Sequence, residues 1–267
     1  MMRKIIVFIV ILILSLSINI LRKEYSWTKH HLIAHAAGGI EGNKYTNSKE
    51  AFLNSYENGY KLFEIDLSLT SDKRLVARHG WDKPFGQSFF RPSKVPEFNE
   101  FMNDPYYNKY TPMNFKMILD LLKEYPDIYV ILDGKVKSPE DTKKLYEKVN
   151  DAVKDLDQSI TNRIIPQMFY KEDVEIIRQY GFHDLLYVVG REDYTPESLV
   201  EFCMSNDINA VSLSKNRTNK SMIDKLSKHN IKIYMYTLNK KNTMKKYFEQ
   251  GVNGFFTDFV TPEEFHS

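Results

Sequence analysis

The feature that most constrains this chain is an alternation: eight short β-rich runs, separated by stretches with helical spacing of apolar residues, fill residues 31–258. The runs are HLIAHA at 31–36, KLFEIDLSL at 61–69, IYVILD at 128–133, RIIPQMF at 163–169, DLLYVVG at 184–190, NAVSLS at 209–214, IKIYMYTL at 231–238 and GFFTD at 254–258. Between them, stretches such as SKEAFLNSYENGY, NFKMILDLLKEY and DTKKLYEKVNDAVKDL repeat apolar residues at the period of an amphipathic helix. Ser48 and Asn114 stand where helices begin, and Gly59, Gly181 and Gly251 where helices stop. Eight such alternations predict an α/β fold, a parallel (β/α)8 TIM barrel rather than an open sheet. One interruption is long: residues 70–113 carry an extra short strand, LVARH at 75–79, and then an insertion rich in Pro, Phe, Tyr and Asn. That insertion is expected to roof the barrel mouth.

Ahead of the barrel lies IIVFIVILILSLSINIL, residues 5–21, which carries no charge. As a helix it would reach about 25 Å, enough for a short membrane span, and it lacks the one-sided period of a core helix. Arg22, Lys23 and Glu24 follow it without a small-residue cleavage pattern. The expected organisation is a signal anchor over residues 1–28 and one catalytic-type domain over 29–267, single-pass in the cell membrane with the barrel on the outer side, or alternatively secreted. Arg3 and Lys4 before the segment are matched by Arg22 and Lys23 after it, so charge alone does not fix the orientation.

Composition excludes several classes. Lys plus Arg number 37 against 35 Asp plus Glu, a net charge of +2, so no global field suggests a nucleic-acid partner. A single cysteine, Cys203, excludes an intramolecular disulfide framework and a cysteine-based zinc site.

In a barrel of this type, polar residues at the C-terminal ends of strands form the active site. His35 ends the first run, and His79 ends the extra strand. Glu64 and Asp66, two apart in the second run, point to one face. Asp133 ends the third run, with Lys135 two residues on. Three carboxylates, two imidazoles and an ammonium suit a divalent cation held by oxygen ligands beside an acid/base pair. Gln167, Tyr236 and Asn239 are candidates to line the pocket. Gly38 and Gly39 read as a turn, and His30, His31, His183 and His229 as surface or packing residues.

At these residues the chain resembles the glycerophosphodiester phosphodiesterase family. IAHAAGG stands where that family has a strand ending in His-Arg-Gly, and EIDLSLTSD at 64–72 matches its Glu-x-Asp and Leu-Thr-x-Asp pattern. LVARH, IIPQMF, YMYTLN at 234–239 and GVNGFFTD at 251–258 follow in the family's order. The resemblance implies that Glu64, Asp66 and Asp133 hold Mg2+ or Ca2+ and that His35 and His79 are the catalytic pair. It further implies that Lys135 contacts a phosphate oxygen, the substrate being a small, lipid or polymer phosphodiester. The family's chemistry favours attack by a neighbouring hydroxyl and a cyclic phosphate intermediate.

Three departures bear on the substrate. Ala36 replaces the arginine after the first histidine, removing a bidentate phosphate clamp. Asp133 replaces the usual Glu, as in spider-venom phospholipase D type enzymes. YTNS at 45–48 stands where the family has Pro-Glu-Asn-Thr, keeping Asn47 and losing a carboxylate. The reading is a phosphodiesterase with an altered pocket, in which Trp81, Phe85, Phe89 and Phe90 offer contacts to a bulkier substrate. The alternatives are a noncatalytic phosphate- or glycan-binding barrel and a phospholipase D-like lyase that forms a cyclic phosphate.

Overall fold

The computed structural model describes residues 26–82 and 94–267. Residues 5–21 lie outside them, as do Phe85, Phe89 and Phe90. Among the described residues no helix is long and apolar enough to cross a membrane.

All eight predicted runs form strands of one closed parallel barrel. They are β1 (Leu32–Ala34), β2 (Leu62–Leu69), β4 (Tyr129–Gly134), β5 (Ile164–Met168), β6 (Leu186–Val189), β7 (Ala210–Ser214), β8 (Lys232–Tyr236) and β9 (Gly254–Thr257). Each pairs in parallel with the next, and β9 pairs back onto β1 with Ala34 opposite Thr257. The extra strand β3 (Leu75–Ala77) runs antiparallel on β2, so the sheet turns outward there before the insertion begins.

Helices cover the outside, as strands buried on both faces require. They include α1 (Lys49–Glu57), α3 (Phe115–Glu124), α4 (Pro139–Val153), α6 (Asp173–Arg178), α7 (Pro196–Ser205), α8 (Lys220–Lys228) and α9 (Lys241–Glu249). Ser48 and Asn114 cap α1 and α3 by accepting from the amides of Ala51 and Met117. Short helices α2 (Phe98–Met102), α5 (Gln158–Thr161) and α10 (Pro262–His266) fill the insertion, one helix–strand link and the C-terminal end.

Strand alternation divides the core into two. Outward residues such as Phe63, Ile65, Val130 and Leu132 pack against the helices. Inward, each of the eight barrel strands gives one residue to a single cluster at the barrel floor: Ile33, Leu62, Ile131, Ile165, Leu186, Ala210, Tyr234 and Phe256. Trp27, from the turn before β1, closes the floor of the barrel, its ring stacked 5.6 Å from Tyr234. The interior is thus solid below, and side chains one inward step further along the strands form the site.

Candidate active site

That inward step explains the site's composition. Along β2, Leu62 lies in the floor cluster, so Glu64 and Asp66 point inward above it; on β4 the same step from Ile131 reaches Asp133, and on β5 the step from Ile165 reaches Gln167. His35, Glu64, His79, Asp133, Gln167 and Tyr236 line one cavity of about 360 Å³ at the C-terminal ends of the strands. Asp66 stands behind them, fully buried. Lys135 lines an adjoining groove. The structure therefore gathers the residues singled out from the sequence.

Glu64, Asp66 and Asp133 bring one oxygen each within 4.8 Å of one another. Glu64 Oε2 accepts from the Ala36 amide at 2.6 Å, while Glu64 Oε1 and Asp133 Oδ1 are buried with no hydrogen-bond partner. Buried carboxylate oxygens without partners are costly, and a hard cation would satisfy both. Burial pushes the Glu64 and Asp133 carboxyls up, and their carboxylate neighbours add to it. Asp66 goes the other way: burial opposes it, but the Lys135 ammonium and the His79 imidazole hold its carboxyl well below the usual range. Lys135 Nζ lies 2.5 Å from both Asp66 Oδ1 and Asp133 Oδ2, so its charge is turned onto the carboxylates. Asn47 completes the cradle, donating to Asp66 Oδ2 at 2.7 Å and accepting from the Asp66 amide at 3.0 Å.

Each imidazole is held through Nδ1 by a carboxylate. His79 Nδ1 is 2.9 Å from Asp66 Oδ1, and His35 Nδ1 is 2.7 Å from Asp258 Oδ1. An Nδ1–H pointing at a carboxylate fixes the tautomer and makes Nε2 the nitrogen that exchanges protons. Asp258 is itself fixed by Asn239, whose side chain donates to Oδ2 at 2.6 Å and accepts from the Asp258 amide at 2.7 Å. Burial raises the Asp258 carboxyl, but His35 and Asn239 outweigh it and hold the group below its ordinary range. The ring of Tyr45 stands edge-on to both imidazoles, 4.8 Å from His35 and 5.1 Å from His79.

Sequence reasoning missed Asp258, Tyr45, Ser212, Phe169 and Arg191, all of which touch this site or its walls. A signal existed for one of them. Thr257-Asp258 ends the last strand, and closure of a barrel puts that strand beside His35. Asn239 sits behind Asp258 rather than on the cavity wall. Gly38 and Gly39 form a packing turn, as expected: a Cβ at Gly38 would fall 2.0 Å from Ser55 Oγ, and at Gly39 2.6 Å from the Asp258 carbonyl. Trp81 lies on the outer groove, its indole N–H donating to the Leu69 carbonyl at 2.9 Å.

Residues 39–261 match the Glycerophosphoryl diester phosphodiesterase family. The chain belongs to that family. With that it is a phosphoric diester hydrolase, and the matched span contains Glu64, Asp66, His79, Asp133, Lys135, Gln167, Tyr236 and Asp258, while the His35–Gly38 turn immediately precedes it. Lysophospholipase D GDPD1 of Rattus norvegicus and of Homo sapiens are each 22% identical over 281 residues, covering 90% of this chain and 86% of theirs. Among solved structures, an Oleispira antarctica phosphodiesterase in complex with the product sn-glycerol-3-phosphate superposes with a TM-score of 0.72 at 14% identity, covering 89% of this chain and 95% of that one. A glycerophosphodiester phosphodiesterase from Parabacteroides distasonis gives 0.71 at 18% identity, covering 88% and 94%. These likenesses agree with the TIM barrel as the family's fold in this chain.

Proposed function

We propose that this family member is a divalent-metal-dependent phosphodiesterase that cleaves a glycerophosphodiester or a related lipid-headgroup or cell-surface-polymer phosphodiester. The observation that carries the reading is the trio Glu64, Asp66 and Asp133, with two buried unpartnered oxygens, beside two carboxylate-held imidazoles. The three carboxylates would hold Mg2+ or Ca2+, hard ions suited to an all-oxygen site. Such an ion would neutralise charge on the phosphoryl oxygens. One imidazole, through Nε2, takes the proton of the attacking hydroxyl; the other gives a proton to the leaving alkoxide. Asp66 and Asp258 stabilise whichever ring is protonated and keep both aimed at the cavity.

The mammalian relatives bear the name lysophospholipase D, which supports a lysolipid among the lipid substrates. We further propose that the uncharged segment 5–21 anchors the enzyme in the membrane with the barrel outside. Alkaline washing of membranes would leave an anchored chain in the pellet and release an unanchored one.

The deciding experiment measures phosphomonoester release from a panel of glycerophosphodiesters and lysophospholipids, with and without chelator. Loss of turnover in chelator and recovery with Mg2+ or Ca2+ supports the reading. Full turnover in excess chelator, or turnover unaffected by Asp66→Asn, overturns the carboxylate trio as a metal site. A cyclic phosphate product would identify the lyase route.

A further inference from the structure

Arg191 lies just beyond β6, on a wall shared by the inner cavity and a larger groove of about 650 Å³. His79, Asp133, Phe169 and Arg191 line both spaces, so a molecule reaching the imidazoles from the groove passes the guanidinium. Among the described residues that guanidinium donates to neutral partners. Its Nη1 donates to the Tyr170 hydroxyl at 2.7 Å and its Nη2 to the Val136 carbonyl at 3.0 Å. It also lies over the rings of Tyr170 and Phe169, 4.9 and 5.5 Å from their centroids.

Charge compensation sets it apart from its neighbours. The adjacent acids are engaged elsewhere, Glu192 with Lys171 and Asp193 with Arg217. On the groove, Lys135 pairs with Asp66 and Asp133, Lys137 with Asp82, and Lys144 with Glu140. Among the described residues no carboxylate forms an ion pair with Arg191, nor with Lys73, which lines the same groove. A guanidinium has five N–H donors in a planar fork, and two hydrogen bonds to neutral acceptors leave most of that fork for an oxyanion. The Val136 carbonyl that holds Nη2 lines the groove and not the inner cavity, so an anion bound on that side of the guanidinium is a second one, apart from the scissile phosphate at the carboxylate trio and the imidazoles.

We propose that Arg191 binds a second phosphate of the substrate, one carried on the part that extends into the groove, so that the preferred phosphodiester is doubly phosphorylated. This rests on the phosphodiesterase reading above. A polyol-phosphate chain and a phosphorylated inositol headgroup share that chemistry, and matched pairs of substrates separate them. The first pair is glycerophosphoglycerol with and without one further glycerol phosphate unit. The second is glycerophosphoinositol with and without a ring phosphate.

In at least one pair the second phosphate should raise kcat/KM about tenfold or more, chiefly through KM, the size of a charge-assisted contact. The pair that responds names the source. Arg191→Gln should bring that ratio to about one, Arg191→Lys should restore part of it, and in the unaltered enzyme the ratio should shrink as salt is raised. The salt series needs no variant, so a misfolded Arg191→Gln does not shield the proposal. Ratios near one for both pairs, or a ratio insensitive to salt and to Arg191→Gln, overturn it. Absence of turnover on every member with metal present overturns the phosphodiesterase reading itself.

Discussion

The amide of Ala36 donates to Glu64 Oε2 across 2.6 Å. Ala36 can do so because its backbone is left-handed, at φ 51° and ψ 46°, which turns the N–H from strand β1 into the barrel mouth. The residue is fully buried, and its methyl leaves no room for a longer side chain without movement. The bond orients one oxygen of Glu64 and leaves the other, Oε1, for the carboxylate trio. Alanine here offers phosphate no side-chain group, while its backbone still serves the Glu64 carboxylate.

Ala36→Gly should keep turnover and change stability by no more than about 1 kcal/mol, because relief of the left-handed strain that alanine bears is offset by the loss of a buried methyl and the freer unfolded chain. Ala36→Pro should abolish activity, since proline has no N–H and cannot reach a positive φ. Urea melts and turnover assays on both variants check this; a glycine variant destabilised well beyond the cost of one buried methyl and the added chain entropy would mean that the left-handed conformation is not retained in solution.

Asp258→Asn should lower kcat by about 10²-fold or more with circular dichroism unchanged, the range for losing the carboxylate that orients and supports an acid/base imidazole. Asn keeps the shape and the bond to Asn239 in part, but removes the anion that supports a protonated His35. Near-normal kcat would show that His35 does not cycle its proton in the rate-limiting step.

Why Glu64, Asp66 and Asp133 were legible in the sequence while Asp258 and Tyr45 were not follows from strand geometry. Side chains two apart on a strand share a face whatever the tertiary structure, so Glu64 and Asp66 declare themselves locally. Asp258 meets His35 only because β9 closes onto β1 in a register that sets Thr257 opposite Ala34. No local pattern encodes that register. Tyr45 and Asn47 reach the site through left-handed backbone, φ 63° and 47°, in a loop whose path no periodicity describes. Lys135 is an intermediate case. Its position beside the strand end was readable, but its approach to two carboxylates, rather than toward the cavity, depends on the register that sets Asp66 opposite Asp133.

Lys135→Gln follows from that approach. Removing the ammonium leaves Asp66 and Asp133 buried beside each other, so the metal-free protein should lose about 3 kcal/mol or more. Mg2+ or Ca2+ should then stabilise the variant more than the unaltered protein, because added cation replaces the missing charge. Thermal melts with a metal titration decide it; equal metal-induced shifts in both proteins would mean that Lys135 and the cation do not serve the same carboxylates.

The far end of the barrel yields a prediction about acid stability. His30 precedes β1 with its Nε2 buried and without a partner, its ring 5.8 Å from that of Tyr129. Burial, reinforced by Lys29, His31 and Lys61 and opposed by Asp127, lowers its pKa from 6.5 to about 4. A depressed folded-state value means that the unfolded chain takes up a proton first as pH falls. The contribution of His30 to stability is therefore present above pH 6.5 and is lost progressively down to about pH 4. With solvent screening at this partly exposed position, the loss should amount to about 1 kcal/mol. His30→Phe cannot take up that proton and keeps an aromatic ring against Tyr129. The stability difference between His30→Phe and the unaltered protein should accordingly shift in favour of the variant between pH 7.5 and pH 4.5, by about 1 kcal/mol in urea titrations. Curves that remain parallel across that interval would show that His30 is as well solvated in the folded protein as in the unfolded chain.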